Sequence, residues 1–212
     1  MKRKIFTAVF SIGTILLMSF SCVEHEVVPP PTNNVDLNAH FEAYIDGNQV
    51  EFTQNVSGYK GYANNTPYIN PSPTLSKMIF SSEMSSMSQP KSIKVSLGAL
   101  EWDAALNLDP TKSMFADFHN LSASSNIVFS DQSMNGFMVE YVDENGQQWI
   151  SMETSGSPQN VTFSNISQAS DNTGDYSKFE CNFNCYIYKN NISGPPDSMQ
   201  IQSGKFNGWF VR

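Results

Sequence analysis

Period-2 alternation broken by turn-forming pairs constrains this chain more than any other feature. Phe41, Ala43 and Ile45 alternate with polar neighbours, Asp46-Gly47 interrupts, and Val50 and Phe52 resume the pattern. Both central residues of a type I′ turn need positive φ, so Asp-Gly between alternating runs predicts a hairpin, with strands at 40–45 and 49–54. The stretch 55–74 carries Pro67, Pro71, Pro73 and Asn64-Asn65 and reads as loop. Leu75 to Ser82 reads as a strand, and Ile93, Val95, Leu97 and Ala99 form a cleaner one with Lys94, Ser96 and Gly98 on its other face.

The second half repeats the logic. Phe137, Val139 and Tyr141 lead to Asp143-Glu144-Asn145-Gly146, a four-residue turn with glycine last, and Gln148 to Met152 returns. Val161-Thr162-Phe163 is a short strand, and Lys178 to Tyr188 is the longest. In Met199 to Val211 the apolar positions are odd at Met199 and Ile201 but even at Phe206 and Phe210, so a bulge is expected near Ser203-Gly204. Met114, Phe115, Phe118 and Leu121, after Asp109-Pro110-Thr111, fit a short helix or a loop whose aromatics plug one end of the sheet. The chain is therefore all-β, an antiparallel sandwich or barrel of about nine or ten strands with at most one short helix.

The N-terminus fixes a location. Lys2, Arg3 and Lys4 precede an uncharged stretch from Ile5 to Phe20, and Ser21 stands immediately before Cys22. A cationic start, a short apolar run and a small residue before a thiol read as an export signal, residues 1–21, ending in a lipobox. A permanent helical anchor needs about 20 apolar residues, more than this run supplies. The rival reading is an ordinary signal cleaved near Ser21, because Ser19-Phe20-Ser21-Cys22 lacks the leucine of strict lipoboxes. Pro29-Pro30-Pro31 followed by Thr32-Asn33-Asn34 favours polyproline II and cannot bury a core, which makes residues 22–38 a tether and 39–212 a single domain. Lipidation of Cys22 would place the protein in the cell envelope as an outer-membrane lipoprotein, exposed at the surface. The mature chain carries nine basic against 20 acidic residues, a net −11. Phosphate backbones repel such a chain, and nucleic acid is not an expected partner.

Chemistry is sparse by comparison. Cys181 and Cys185 share one face of a strand about 13 Å apart, too far for a disulfide spanning less than ~7 Å, so both are expected to be buried and reduced. No Gly-x-Ser-x-Gly elbow and no zinc-type spacing occurs, and His25, His40 and His119 are isolated from one another. Carboxylate pairs Glu101 with Asp103 and Asp143 with Glu144 have the composition for acid–base work on a sugar, or for calcium at the second pair, but turn formation accounts for them. Aromatics give the binding signal. Trp102, Trp149, Trp209, Tyr44, Tyr59, Tyr62 and Tyr68 stand beside Tyr186 and Tyr188, which share a strand face with Asn182 and Asn184 opposite Phe183. Tyr186, Tyr188 and Asn184 are thus candidate ligand contacts, against the alternative of a second packed face.

Phe41-x-Ala43-Tyr44-Ile45-Asp46-Gly47, Phe137-x-Val139-x-Tyr141-x-Asp143-x-x-Gly146 before Trp149, Phe183-Asn184-Cys185-x-Ile187-Tyr188 and Ser203-Gly204-Lys205-Phe206 resemble a family of uncharacterised lipoproteins from Bacteroidetes-type bacteria. The resemblance spans most of residues 40–212 and implies an extracytoplasmic, lipid-anchored β domain with no established activity. It also implies a surface-export tag at Glu24 and Glu26 and O-glycosylation at Ser198 within Asp197-Ser198-Met199. The expectation is a non-catalytic module without cofactor or metal, held to a membrane by its lipid, that binds an extracellular glycan or an envelope protein. A barrel-type carrier of an apolar ligand and a polysaccharide hydrolase are the alternatives.

Overall fold

A computed structural model describes residues 34–123, 126–130, 134–152, 159–189 and 197–212. Cys22, His25, the leader and most of the tether lie outside the described residues, as does Pro195-Pro196. Among the described residues, ten antiparallel strands form one continuous sheet that curls into a half-barrel, with one short helix. The strands are β1 (His40–Ile45), β2 (Asn48–Thr53), β3 (Tyr59–Tyr68), β4 (Ser76–Ser86), β5 (Ser92–Trp102), β6 (Gly136–Val142), β7 (Gln148–Ser151), β8 (Asn160–Asp171), β9 (Gly174–Lys189) and β10 (Ser198–Val211). The order across the sheet is β2-β1-β10-β9-β7-β6-β5-β4-β3, and β8 pairs with the stretch of β9 that β7 leaves open.

The first hairpin forms as its sequence dictates. Asp46 and Gly47 have φ of 48° and 78°, the left-handed pair that a two-residue turn needs. In β10 the register slips between Ile201 and Gly204, where Ser203 has φ 52°, so the inward face passes from odd to even positions as the alternation requires. A second slip, between Met78 and Phe80 of β4, adds a residue to β5, so Leu100 and Trp102 take the buried positions and Ala99 is only half-buried.

Two elements depart from the sequence reading. Residues 59–68, expected as loop, form edge strand β3 along β4. After Tyr59 its inward positions, Gly61, Ala63 and Asn65, are small or polar, and at Gly61 the reason is Trp209. A Cβ on Gly61 would stand 2.5 Å from the Trp209 ring and 2.8 Å from Ala39 Cβ. Pro67 is tolerated since an edge strand has one side without a ladder. Strand β8, expected as three residues, runs for 12, its polar second half pairing with β9 through Asp171↔Gly174.

The helix α1 (Lys112–Ser122) starts at Thr111, whose Oγ1 accepts from Met114 N at 3.3 Å. Phe115 and His119 are its buried residues, and Leu121, expected on the apolar face, is exposed. Phenyl rings fill the sheet interior. Phe41 meets Phe183 and Phe206, Phe179 stacks on Phe210 at 4.3 Å, and Phe80 meets Phe115 edge-on at 5.1 Å.

These registers give the domain two ends. At the turn end lie the β1–β2 turn, the β4–β5 loop and the β6–β7 turn. At the other end lie the start of β1, the β3–β4 and β5–α1 loops and the β8–β9 turn. Residues 35–38, read as the last of the tether, are bonded to that second end. Val35 N donates to Asp171 Oδ2 at 2.8 Å, Gln54 Nε2 donates to Leu37 O, and Ala39 N donates to Gln54 Oε1.

Candidate functional site

The turn end carries a cleft of about 480 Å³ between two hairpin turns. Ile45, Asp46, Asn48 and Val50 supply one wall, and Tyr141, Asp143, Glu144 and Asn145 supply the other, with Lys91 and Met199 between them. A second hollow of about 310 Å³ adjoins it through Val50 and Lys91 and adds Gln49, Glu51, Ser57, Tyr59 and Gln89. Together they make a polar groove, with Tyr141 and Tyr59, both buried, at its edges.

Each wall is stiff for a local reason. Asp143 Oδ1 accepts from Asn145 N at 2.8 Å and Gln147 N at 3.0 Å, while Oδ2 accepts from Trp149 Nε1 at 3.1 Å. Burial opposes its ionisation, but the bonds from Gln147, Trp149 and Asn145 outweigh that and hold the carboxyl below its usual range. Gly146 closes the turn at φ 76°, donating its N–H to Asp143 O. On the facing wall Asp46 Oδ1 accepts from Gln200 N at 2.9 Å, and Asp46 N donates to Gln200 O. Both aspartates therefore brace turns. Lys91 Nζ reaches Glu144 Oε2 at 3.1 Å, joining the β4–β5 loop to the β6–β7 turn. Burial, with the nearby carboxylates of Asp143 and Glu144, pushes the Tyr141 hydroxyl up to about 12, so it stays a neutral phenol.

Amide, ammonium and carboxylate groups lining an open groove suit a ligand rich in hydroxyls, or an extended polar peptide. The sequence read both turns correctly but did not join them, because only the strand order brings 45–50, 91 and 141–145 to one end. Nothing local to Lys91 or Asn48 marks them.

The expected contact residues lie elsewhere. Tyr186 and Tyr188 are half-buried on the outer face of β9 beside Gln200 and Ser198, which pair with them on β10. Asn184 is engaged there: Oδ1 accepts from Ser203 N at 2.8 Å and Nδ2 donates to Asn160 Oδ1, which secures the β10 bulge. None of the three lines the groove. Ser198 is exposed at the start of β10. Trp102, Trp149, Trp209 and Tyr59 are buried, leaving Tyr44, Tyr62 and Tyr68 exposed.

The remaining candidates are accounted for by packing and pairing. Cys181 and Cys185 are free and buried on one face of β9, and burial pushes both thiols up. Glu101 pairs with Lys77 at 3.2 Å, and Asp103 accepts from Ala105 N. His40 Nε2 meets Glu51 Oε1 at 3.1 Å. His119 is 2% exposed and ringed by Phe80, Phe115, Phe118 and Phe210, with neither nitrogen hydrogen-bonded among the described residues. Among the described residues no group of three or more His, Cys, Asp or Glu is placed to hold a metal ion, and no helix is long and apolar enough to cross a membrane. Compared with family models, curated proteins and solved structures, the chain matches none of them.

Proposed function

We propose that this protein is a non-catalytic, lipid-anchored component of the cell envelope whose domain presents the polar groove to an extracellular glycan. The groove's position carries the reading. The chain joins the domain at Val35, beside the β8–β9 turn, whereas the larger cleft of the groove opens at the other end of β1, about 17 Å away along the strand. A domain tethered at Val35 would hold its groove away from the membrane, toward ligands outside. The leader, Cys22 and the proline-rich tether support the anchored half of the reading. The amide, ammonium and carboxylate groups of the groove support a glycan, whose hydroxyls take the hydrogen bonds.

A glycan array probed with the full chain, followed by titration of the best binder, tests it. Lys91→Ala and Asn145→Ala are each expected to weaken binding by about tenfold, the value of one charge-assisted or two neutral hydrogen bonds. Signal no higher than background across the array, or affinity untouched by both substitutions, contradicts the reading.

A further inference from the structure

We propose that the end of the domain opposite the groove docks on the lipid bilayer through two apolar loops, β3–β4 and β5–α1. This rests on the anchored reading above. Leu106 and Leu108 are 79% and 84% exposed in the β5–α1 loop, and Ile69 and Leu75 are 60% and 44% exposed in the β3–β4 loop. The two loops are neighbours, because Ser76 of β4 pairs with Trp102 of β5 and Tyr68 pairs with Lys77. Each loop is built to hold its tip outward. Asn70 N donates to Ser76 Oγ and Asn70 Nδ2 to Leu75 O, while Leu106 N and Asn107 N both donate to Asp103 O, and Trp102 Nε1 donates to Asn107 O.

These leucines are not covered by the fold, and contiguous exposed apolar groups mark an interaction surface. The position at which the chain joins the domain identifies the partner. Val35 is bonded to Asp171, and Asp175 on the next strand binds Arg212 Nε at 2.8 Å and Lys112 Nζ at 3.2 Å. Arg212 Nη1 in turn donates to Pro110 O, two residues from Leu108. The tether's attachment and the apolar loops thus share one hydrogen-bonded end. An acyl chain alone holds a protein marginally, and a second attachment adds to it. Lys77 is paired with Glu101 and both Lys112 and Arg212 with Asp175, so the contact rests on apolar insertion and not on anionic lipid.

The full chain in vesicles of dibrominated phosphatidylcholine tests this. The indole added by Leu108→Trp is expected to lose most of its fluorescence relative to ordinary phosphatidylcholine. The indole added by Met87→Trp, in the exposed β4–β5 loop at the turn end, is expected to lose none. Equal quenching of the two, or none in either, overturns the proposal. Mass spectrometry of Cys22 in the same sample scores the anchor separately. Acylated protein with an unquenched Leu108→Trp indole removes the docking surface and leaves the anchor; quenching without acylation removes the anchor and leaves the surface.

Discussion

His119 is an imidazole held in a cage of phenyl rings with no hydrogen-bond partner among the described residues. Burial drives its pKa down from 6.5 to about 3, offset in part by the Phe115 carbonyl, which lies near the ring without meeting hydrogen-bond geometry. A histidine whose folded value is depressed stabilises fully above its unfolded value and loses that contribution as pH falls toward the folded one. Unfolding free energy is therefore expected to drop by about 2 kcal/mol between about pH 7 and pH 5 on account of this residue. His119→Leu, similar in volume and without titration, is expected to flatten that part of the profile in urea titrations. An unchanged slope in the variant would show that the ring is not buried as a neutral base. This residue was not legible in the sequence. Helical spacing drew attention to Leu121, but Phe115 and His119, four apart, share the inward line, and hydropathy alone ranks a leucine above a histidine.

Among the elements, hairpins with explicit turn chemistry were legible and polar edge strands were not. Asp46-Gly47, Asp143 to Gly146 and the Ser203-Gly204 bulge each state their backbone requirement in residue type. Strand β3 and the second half of β8 face solvent or pack against a large ring, so small and polar residues occupy them and the alternation fades. Asp143 carries the most at this scale, since one carboxylate satisfies two turn amides and the Trp149 indole. Asp143→Ala is expected to destabilise the protein by about 1–3 kcal/mol, through loss of hydrogen bonds to a charged acceptor. Hydrogen exchange should show the loss concentrated in β6 and β7. Stability within a few tenths of a kcal/mol of the parent would mean that the turn holds without its side chain.

For the whole molecule, the sequence indicated an antiparallel all-β domain with one short helix and left sandwich or barrel open; the chain adopts a single curled sheet. The groove was out of reach of a one-dimensional reading, because residues 45–50, 91 and 141–145 meet only through strand order. The tyrosines that stood out in sequence are spent on the outer face of β9, and Asn184 beside them braces a bulge. The domain that results is polar in the directional sense, with the chain joined at one end and a hydrogen-bonding groove at the other. That arrangement has the proposed meaning only if Cys22 carries lipid. Growth of cells producing the full chain in an alkyne fatty acid, followed by fluorophore coupling and electrophoresis, decides it. A labelled band is expected for the parent and none for Cys22→Ser at equal expression; an unlabelled parent, or equal label on both, would contradict the lipid anchor.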